Sequence, residues 1–198
     1  MTIEIISMHP INSFQGEHRF LSNFWPCLIE WEGLLYPTLE HAYVSSKVDT
    51  TDLKEKIRSC STPGDAKEFL VSNGMSPKNS WNSETKLNVM EQLLFIKFSG
   101  KNPLLTRALM ATGDADLIEG NIWNDTFWGV CNDIGENHLG KLLMKVRASL
   151  FAEKEKLEDL VTRTDTYREL ADTMGFSLQT LYEKMMSFGI SQRKYLGY

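Results

Sequence analysis

Three stretches of this 198-residue chain carry side chains suited to chemistry. The first is Thr38-Leu39-Glu40-His41. If Thr38 caps a helix, Glu40 falls in the first helical turn. There the macrodipole and free N–H groups favour an ionised carboxylate. Such a group can act as general base on water or stabilise a developing cation. It also reads as an ordinary acid at a helix start. The second is Asn124-Asp125-Thr126-Phe127-Trp128-Gly129, with Trp123 just before it. It offers an amide, a carboxylate and aromatic faces. Rings stack on bases, each contributing about 1–3 kcal/mol by alanine substitution, and Asn and Asp can bond ribose hydroxyls or place a water. It reads equally as a Trp-rich loop with Asp125 in an Asx-turn. The third is Gln15-Gly16-Glu17-His18-Arg19-Phe20-Leu21-Ser22-Asn23-Phe24. Arg19 suits bidentate phosphate contacts, and Ser22 and Asn23 add donors. Lys47 lies seven residues after Glu40, about two turns on, and so shares its helix face. It suits either phosphate or a simple ion pair with Glu40.

The elements that position these groups follow from local patterns. Cys27–Trp31 and Leu34–Tyr36 flank Glu32-Gly33 and predict a hairpin, after a short strand at Thr2–Ile6. Thr38, Thr50 and Thr62 predict the starts of three helices, the third ending near Asn73-Gly74. A longer helix follows Asn82, with an apolar face of Met90, Leu93, Leu94 and Phe98. Asn102-Pro103 opens another that closes near Thr112-Gly113. Leu117–Ile122 reads as a short extended piece. Trp123–Asn137 has no helical period, and loops of this kind often carry function. A long helix is expected from His138 to Val161. Residues 164–198 read as a separate unit, two short helices at Tyr167–Met174 and Leu178–Ser187 joined through Gly175-Phe176-Ser177. The expected division is therefore residues 1–161 and 164–198.

Composition narrows the class. An apolar fraction of 42% with five tryptophans is enough to fill a core, and a net charge of −5 without a long basic run does not announce nucleic acid. No secretory signal and no apolar run near the roughly 20 residues of a membrane helix is read, so a soluble cytoplasmic protein, with no membrane partner, is expected. Cys27, Cys60 and Cys131 are odd in number and form no CxxC, which fits free thiols; a catalytic cysteine is the lesser alternative. The four histidines lack metal-ligand spacing. No metal and no cofactor is expected.

Taken together, the blocks match a known pattern. Phe14-Gln15-Gly16-Glu17…Phe20-Leu21-Ser22-Asn23-Phe24, Tyr36-Pro37-Thr38-Leu39-Glu40-His41-Ala42-Tyr43…Lys47, Trp81…Lys86…Met90, Leu109–Gly113, Asn124–Val130 and Gly135–Arg147 resemble the NADAR family, over about residues 14 to 150. The resemblance implies a helix-dominated α+β fold with a small sheet and hydrolysis of an N-glycosidic bond. Members act on ribosylamino-pyrimidine phosphates of riboflavin synthesis or remove ADP-ribose from guanine, including guanine in DNA. It places catalytic acids at Glu40 and Asp125 and a stacking ring at Trp128. Its motifs bring forward Arg19, Ser22, Asn23, Phe24, His41, Lys47, Trp81, Asn124, Gly129 and Asn137 as further substrate contacts. One departure stands out: Val44-Ser45-Ser46 occupy positions where the family often has Gln and Ala. The expected ligand is ADP-ribose-like or a ribosyl phosphate.

The tail pattern Ala171…Gly175-Phe176-Ser177…Thr180-Leu181-Tyr182…Lys184…Gly189-Ile190 resembles a Fis-type helix-turn-helix. That resemblance implies DNA contact through Gln179, Thr180, Lys184, Arg193 and Lys194, and a homodimer. Four basic side chains against four acidic ones in this segment are poor for phosphate-driven affinity, and a hairpin that only packs is the competing reading. Three functions follow: removal of ADP-ribose from guanine, hydrolysis of a small ribosylamino-pyrimidine phosphate, or a non-catalytic ADP-ribose module. Retention of both acids argues against the last.

Overall fold

The computed structural model describes residues 9–192; the strand expected at Thr2–Ile6 lies outside them. The protein is helix-rich α+β, with one two-stranded sheet among the described residues. Strand β1 (Pro26–Trp31) pairs antiparallel with β2 (Leu34–Thr38). Glu32 (φ 49) and Gly33 (φ 77) supply the two left-handed residues of a tight hairpin turn. Ile29 and Tyr36 are paired across the strands, and both are fully buried.

No loop separates β2 from the first helix. Thr38 ends the strand in extended conformation, and its side chain accepts the His41 N–H, which starts α1 (Leu39–Ser45). Helices α2 (Thr51–Arg58) and α3 (Pro63–Ser72) begin on Thr50 and Thr62, the latter with a full capping box to Asp65. In α4 (Ser83–Lys97), Met90, Leu93 and Leu94 are buried as the apolar face requires, and Phe98 is buried just beyond its end. Helix α5 covers Pro103–Ala111, α6 His138–Arg163, α7 Tyr167–Met174 and α8 Leu178–Phe188.

The chain forms two compact units. One comprises Pro10–Lys97 and Asp116–Leu143. In it α1 packs on both strands, α2, α3 and α4. The extended piece near residue 117 makes single bridges rather than a strand: Leu117 pairs with Ile11, and Gly120 with Val130. Those bridges hold the 121–137 loop against the unit. The other unit holds, among the described residues, His9, Phe98–Ala115 and 144–192. There α7 and α8 group with α5 and the later part of α6. Helix α8 packs on α5 and on Gly100, where an added Cβ would lie 3.3 Å from the Glu183 and Lys184 backbone.

Candidate active site

The first unit encloses a cavity of about 360 Å³. Helix α1 contributes Glu40 and Tyr43, three residues apart on one face, and the turn after it contributes Lys47. The N-terminal segment contributes Arg19, Ser22, Asn23 and Phe24; the loop contributes Trp123, Asp125 and Trp128. Six of the expected contacts (Arg19, Ser22, Asn23, Phe24, Lys47 and Trp128) therefore meet the two expected acids in one place. Lys67, Glu119 and Tyr43 join them.

Glu40 is 7% exposed. Burial pushes its carboxyl above the ordinary range, and the Asp125 charge adds to this; Lys47, Lys67 and the Asn23 amide oppose it. The helix-start advantage expected for the ionised form is thus outweighed by desolvation. Lys47 feels the converse: burial lowers it, with Lys67 and Lys86 reinforcing and Glu40 opposing. Its ammonium sits 4.9 Å from the Tyr43 ring centroid. Tyr43 is pushed up by burial and by both carboxylates, so its phenol stays neutral.

Asp125 serves the loop as well as the cavity. Its Oδ1 accepts the Trp128 N–H at 2.8 Å, an Asx-type turn. Asn121 staples the same loop. Its Nδ2 donates to the Asp125 carbonyl, and its Oδ1 accepts the Asp125 N–H, at 2.8 and 3.0 Å. Trp128 packs edge-on against Tyr43, with centroids 5.7 Å apart. Trp123, 53% exposed, presents the more open ring.

Glu119 was not foreseen from the sequence. Burial and the Asp125 charge raise its carboxyl from 4.5 to about 7, against Lys67 and Lys97. Lys97 was also unforeseen. It is fully buried, donates to the Ser22 carbonyl at 2.7 Å, and is lowered by desolvation to about 7 despite Cys27 and Glu119. Leu117 and Asn121, two residues either side of Glu119, are both buried, and a two-residue period in this extended piece turns Glu119 to the same side. A carboxyl whose folded pKa exceeds its unfolded one stabilises the fold only while it stays protonated. That contribution is full below pH 4.5 and is lost as pH rises through about 7. Glu119→Gln removes this cost. The variant is expected to be about 1–3 kcal/mol more stable than the parent at pH 8, with the gap closing toward pH 4.5. Denaturant melts at both pH values measure this.

The remaining expected contacts do not line the cavity. His41 is 1% exposed, with Nδ1 2.8 Å from the Thr38 hydroxyl and Nε2 3.2 Å from the Cys60 carbonyl. A carbonyl only accepts, so Nε2 carries the proton and Nδ1 accepts from Thr38. His41 is a scaffold residue that locks the start of α1, and desolvation keeps it neutral. Asn137 donates to Leu117 O and accepts Glu119 N–H, clamping the extended piece. Trp81 supports Tyr43 from behind at 5.4 Å. Asn124 is exposed with φ 68. Gly129 lets the Glu119 backbone approach.

Of the residues expected to meet DNA, Arg193 and Lys194 lie outside the described residues. Lys184 pairs with Glu153 at 2.6 Å, Gln179 donates to Glu183, and Thr180 bonds the Ser177 cap. Burial raises the Cys27 and Cys60 thiols, the reverse of what a nucleophile requires. No group of three or more potential metal ligands occurs among the described residues, and no described helix is long and apolar enough to cross a membrane.

Carboxylates gathered in a cavity of sugar size, with cations beside them, are the equipment of glycosidic-bond hydrolysis, and the protein is an enzyme of that class. It belongs to the NADAR family: the NADAR domain model matches residues 12–151. The N-glycosidase YbiA of Shigella boydii is 36% identical over 145 residues, covering 72% of this chain and 88% of that protein. A riboflavin biosynthesis protein of Vibrio vulnificus is 35% identical over 148 residues, 73% of this chain; the match spans only 40% of the Vibrio protein. The NMR structure of Escherichia coli YbiA superposes with a TM-score of 0.66 at 32% identity, over 76% of this chain and 89% of that one.

Proposed function

We propose that the cavity hydrolyses the N-glycosidic bond joining ADP-ribose to guanine, free or in DNA. The observation that carries this is the meeting of Glu40 and Asp125 with Lys47, Lys67 and Arg19 in one cavity. The cations suit the diphosphate. Phe24 and Trp123 give separate aromatic surfaces for a ligand with two purine rings. The carboxylates suit an oxocarbenium-like centre at C1′. Glu40 activates water or stabilises that cation in its ionised form, which Lys47 and Lys67 support against the burial that raises its carboxyl. Asp125 commits Oδ1 to the Trp128 N–H and keeps its other oxygen for ribose or water.

A second substrate, a ribosylamino-pyrimidine phosphate, is favoured by the name of the Vibrio relative and by a volume of about 360 Å³, near the low end for ligand sites. One experiment separates them. The protein is incubated with ADP-ribosylated guanine DNA and, separately, with the pyrimidine ribosyl phosphate, and products are resolved by mass. Release of ADP-ribose and unmodified guanine is expected. Cleavage of the pyrimidine compound alone rejects the guanine reading.

A further inference from the structure

We propose that Glu119 is the acid that protonates the departing base. The inference rests on the N-glycosidase reading above and adds a role that Glu40 and Asp125 leave unfilled. Glu119 is fixed from three sides. Its N–H donates to Asn137 Oδ1 at 3.1 Å, its carbonyl accepts the Val130 N–H at 2.9 Å, and Gly129 leaves room for both its carbonyl and its Cγ. The side chain is thereby held in the cavity wall, where Oε2 is buried without a hydrogen-bond partner. A buried carboxyl oxygen with nothing to bond is a costly arrangement, and a substrate nitrogen in the cavity would satisfy it.

The neighbours decide which acid holds a proton. Burial raises both carboxyls, but Glu40 has Lys47, Lys67 and the Asn23 amide to support its anion, whereas Glu119 Oε2 has no hydrogen-bond partner. Asp125 already accepts an N–H. Glu119 faces Asp125 from the loop, Lys67 from α3 and Lys97 from α4, and it remains protonated to about pH 7. In the proposed step the Glu119 proton passes to the base nitrogen as the C1′–N electron pair moves onto that nitrogen. Water adds to C1′ and gives a proton to Glu40. Transfer of that proton through solvent to Glu119 restores both groups, and one water is consumed.

The test compares leaving groups. Glu119→Gln should slow release of guanine, or of the pyrimidine if that is the substrate cleaved, by about 10²–10⁴-fold. The alkaline limb of the wild-type pH–rate profile should vanish in the variant. Nicotinamide mononucleotide departs as neutral nicotinamide and needs no proton, so its cleavage should change less than about threefold. Retention of the alkaline limb, or slowing by the same factor on both leaving groups, overturns the proposal. A wild-type protein that cleaves no N-glycoside instead rejects the function on which it rests.

Discussion

Glu40→Gln is expected to leave a folded protein with at least about 10³-fold lower turnover. Removing one preorganised electrostatic group from a buried site costs about 2.7–4 kcal/mol of barrier, or 10²–10³-fold. In the proposed mechanism Glu40 is asked for more than that, because loss of its carboxylate withdraws both support for the C1′ cation and the acceptor for the water proton. The fold should tolerate the change. Gln has the same shape, and the buried carboxylate is itself destabilising in its ionised form, as its raised pKa records. The melting temperature at pH 8 should therefore match or exceed that of the parent. Single-turnover release of base separates chemistry from binding. Turnover near the wild-type rate would remove Glu40 from the mechanism.

Gly129→Ala should damage architecture and chemistry together. A Cβ there would lie 2.1 Å from the Glu119 carbonyl, 2.9 Å from Asn121 Nδ2 and 3.0 Å from the Glu119 Cγ. The first contact is with backbone, so no side-chain rotation relieves it. The Val130 N–H to Glu119 O bond must open, and with it the bridge between Gly120 and Val130. Overpacking of this kind costs about 1–3 kcal/mol, sometimes more, equivalent to a melting point lower by about 2–12 °C in a chain of this size. Glu119 and Asp125 both hang from the displaced segment. Misplacement by 1 Å is enough for roughly a 10²-fold loss of rate. Gly33→Ala makes a useful control, since nothing lies within 4 Å of its added Cβ and it sits in the distant hairpin turn; it should lose stability through its φ of +77 but keep its kcat.

Local rules carried most of the fold. Thr38, Thr50, Thr62 and Ser177 each begin a helix because a hydroxyl accepts an N–H three residues on, a requirement written within four residues. Glu32-Gly33 likewise announces its turn. The candidate site was legible where residues lie close in sequence, as Glu40 and Lys47 do at α1 and the turn after it, or share a motif, as Asp125 and Trp128 do. Glu119 and Lys97 escaped because their environments are non-local: Asn137 and Gly129 set the first, Ser22 and Cys27 the second. His41 and Asn137 lie outside the cavity lining for a related reason. Membership of a motif does not distinguish a side chain that touches ligand from one that holds its neighbour in place. The tail shows the same limit. Its two helices fall where expected, yet Lys184 is committed to Glu153, a partner 31 residues away that no short pattern reveals.

The junction at Thr38 has an evolutionary corollary. One residue ends a strand, caps a helix and stands two positions before Glu40, the proposed catalytic acid. Strand register therefore transmits directly to the Glu40 carboxylate, with no slack to absorb a change of length. Descendants of this chain can exchange Leu28 or Leu35, whose side chains face outward, but inserting or deleting a single residue between Gly33 and Glu40 rotates the carboxylate by about 100° around its helix. The exposed loop after α3 is under no such restraint. Variation in length is accordingly expected to collect at residues 73–80, leaving the hairpin and the helix that follows it a fixed-length cassette.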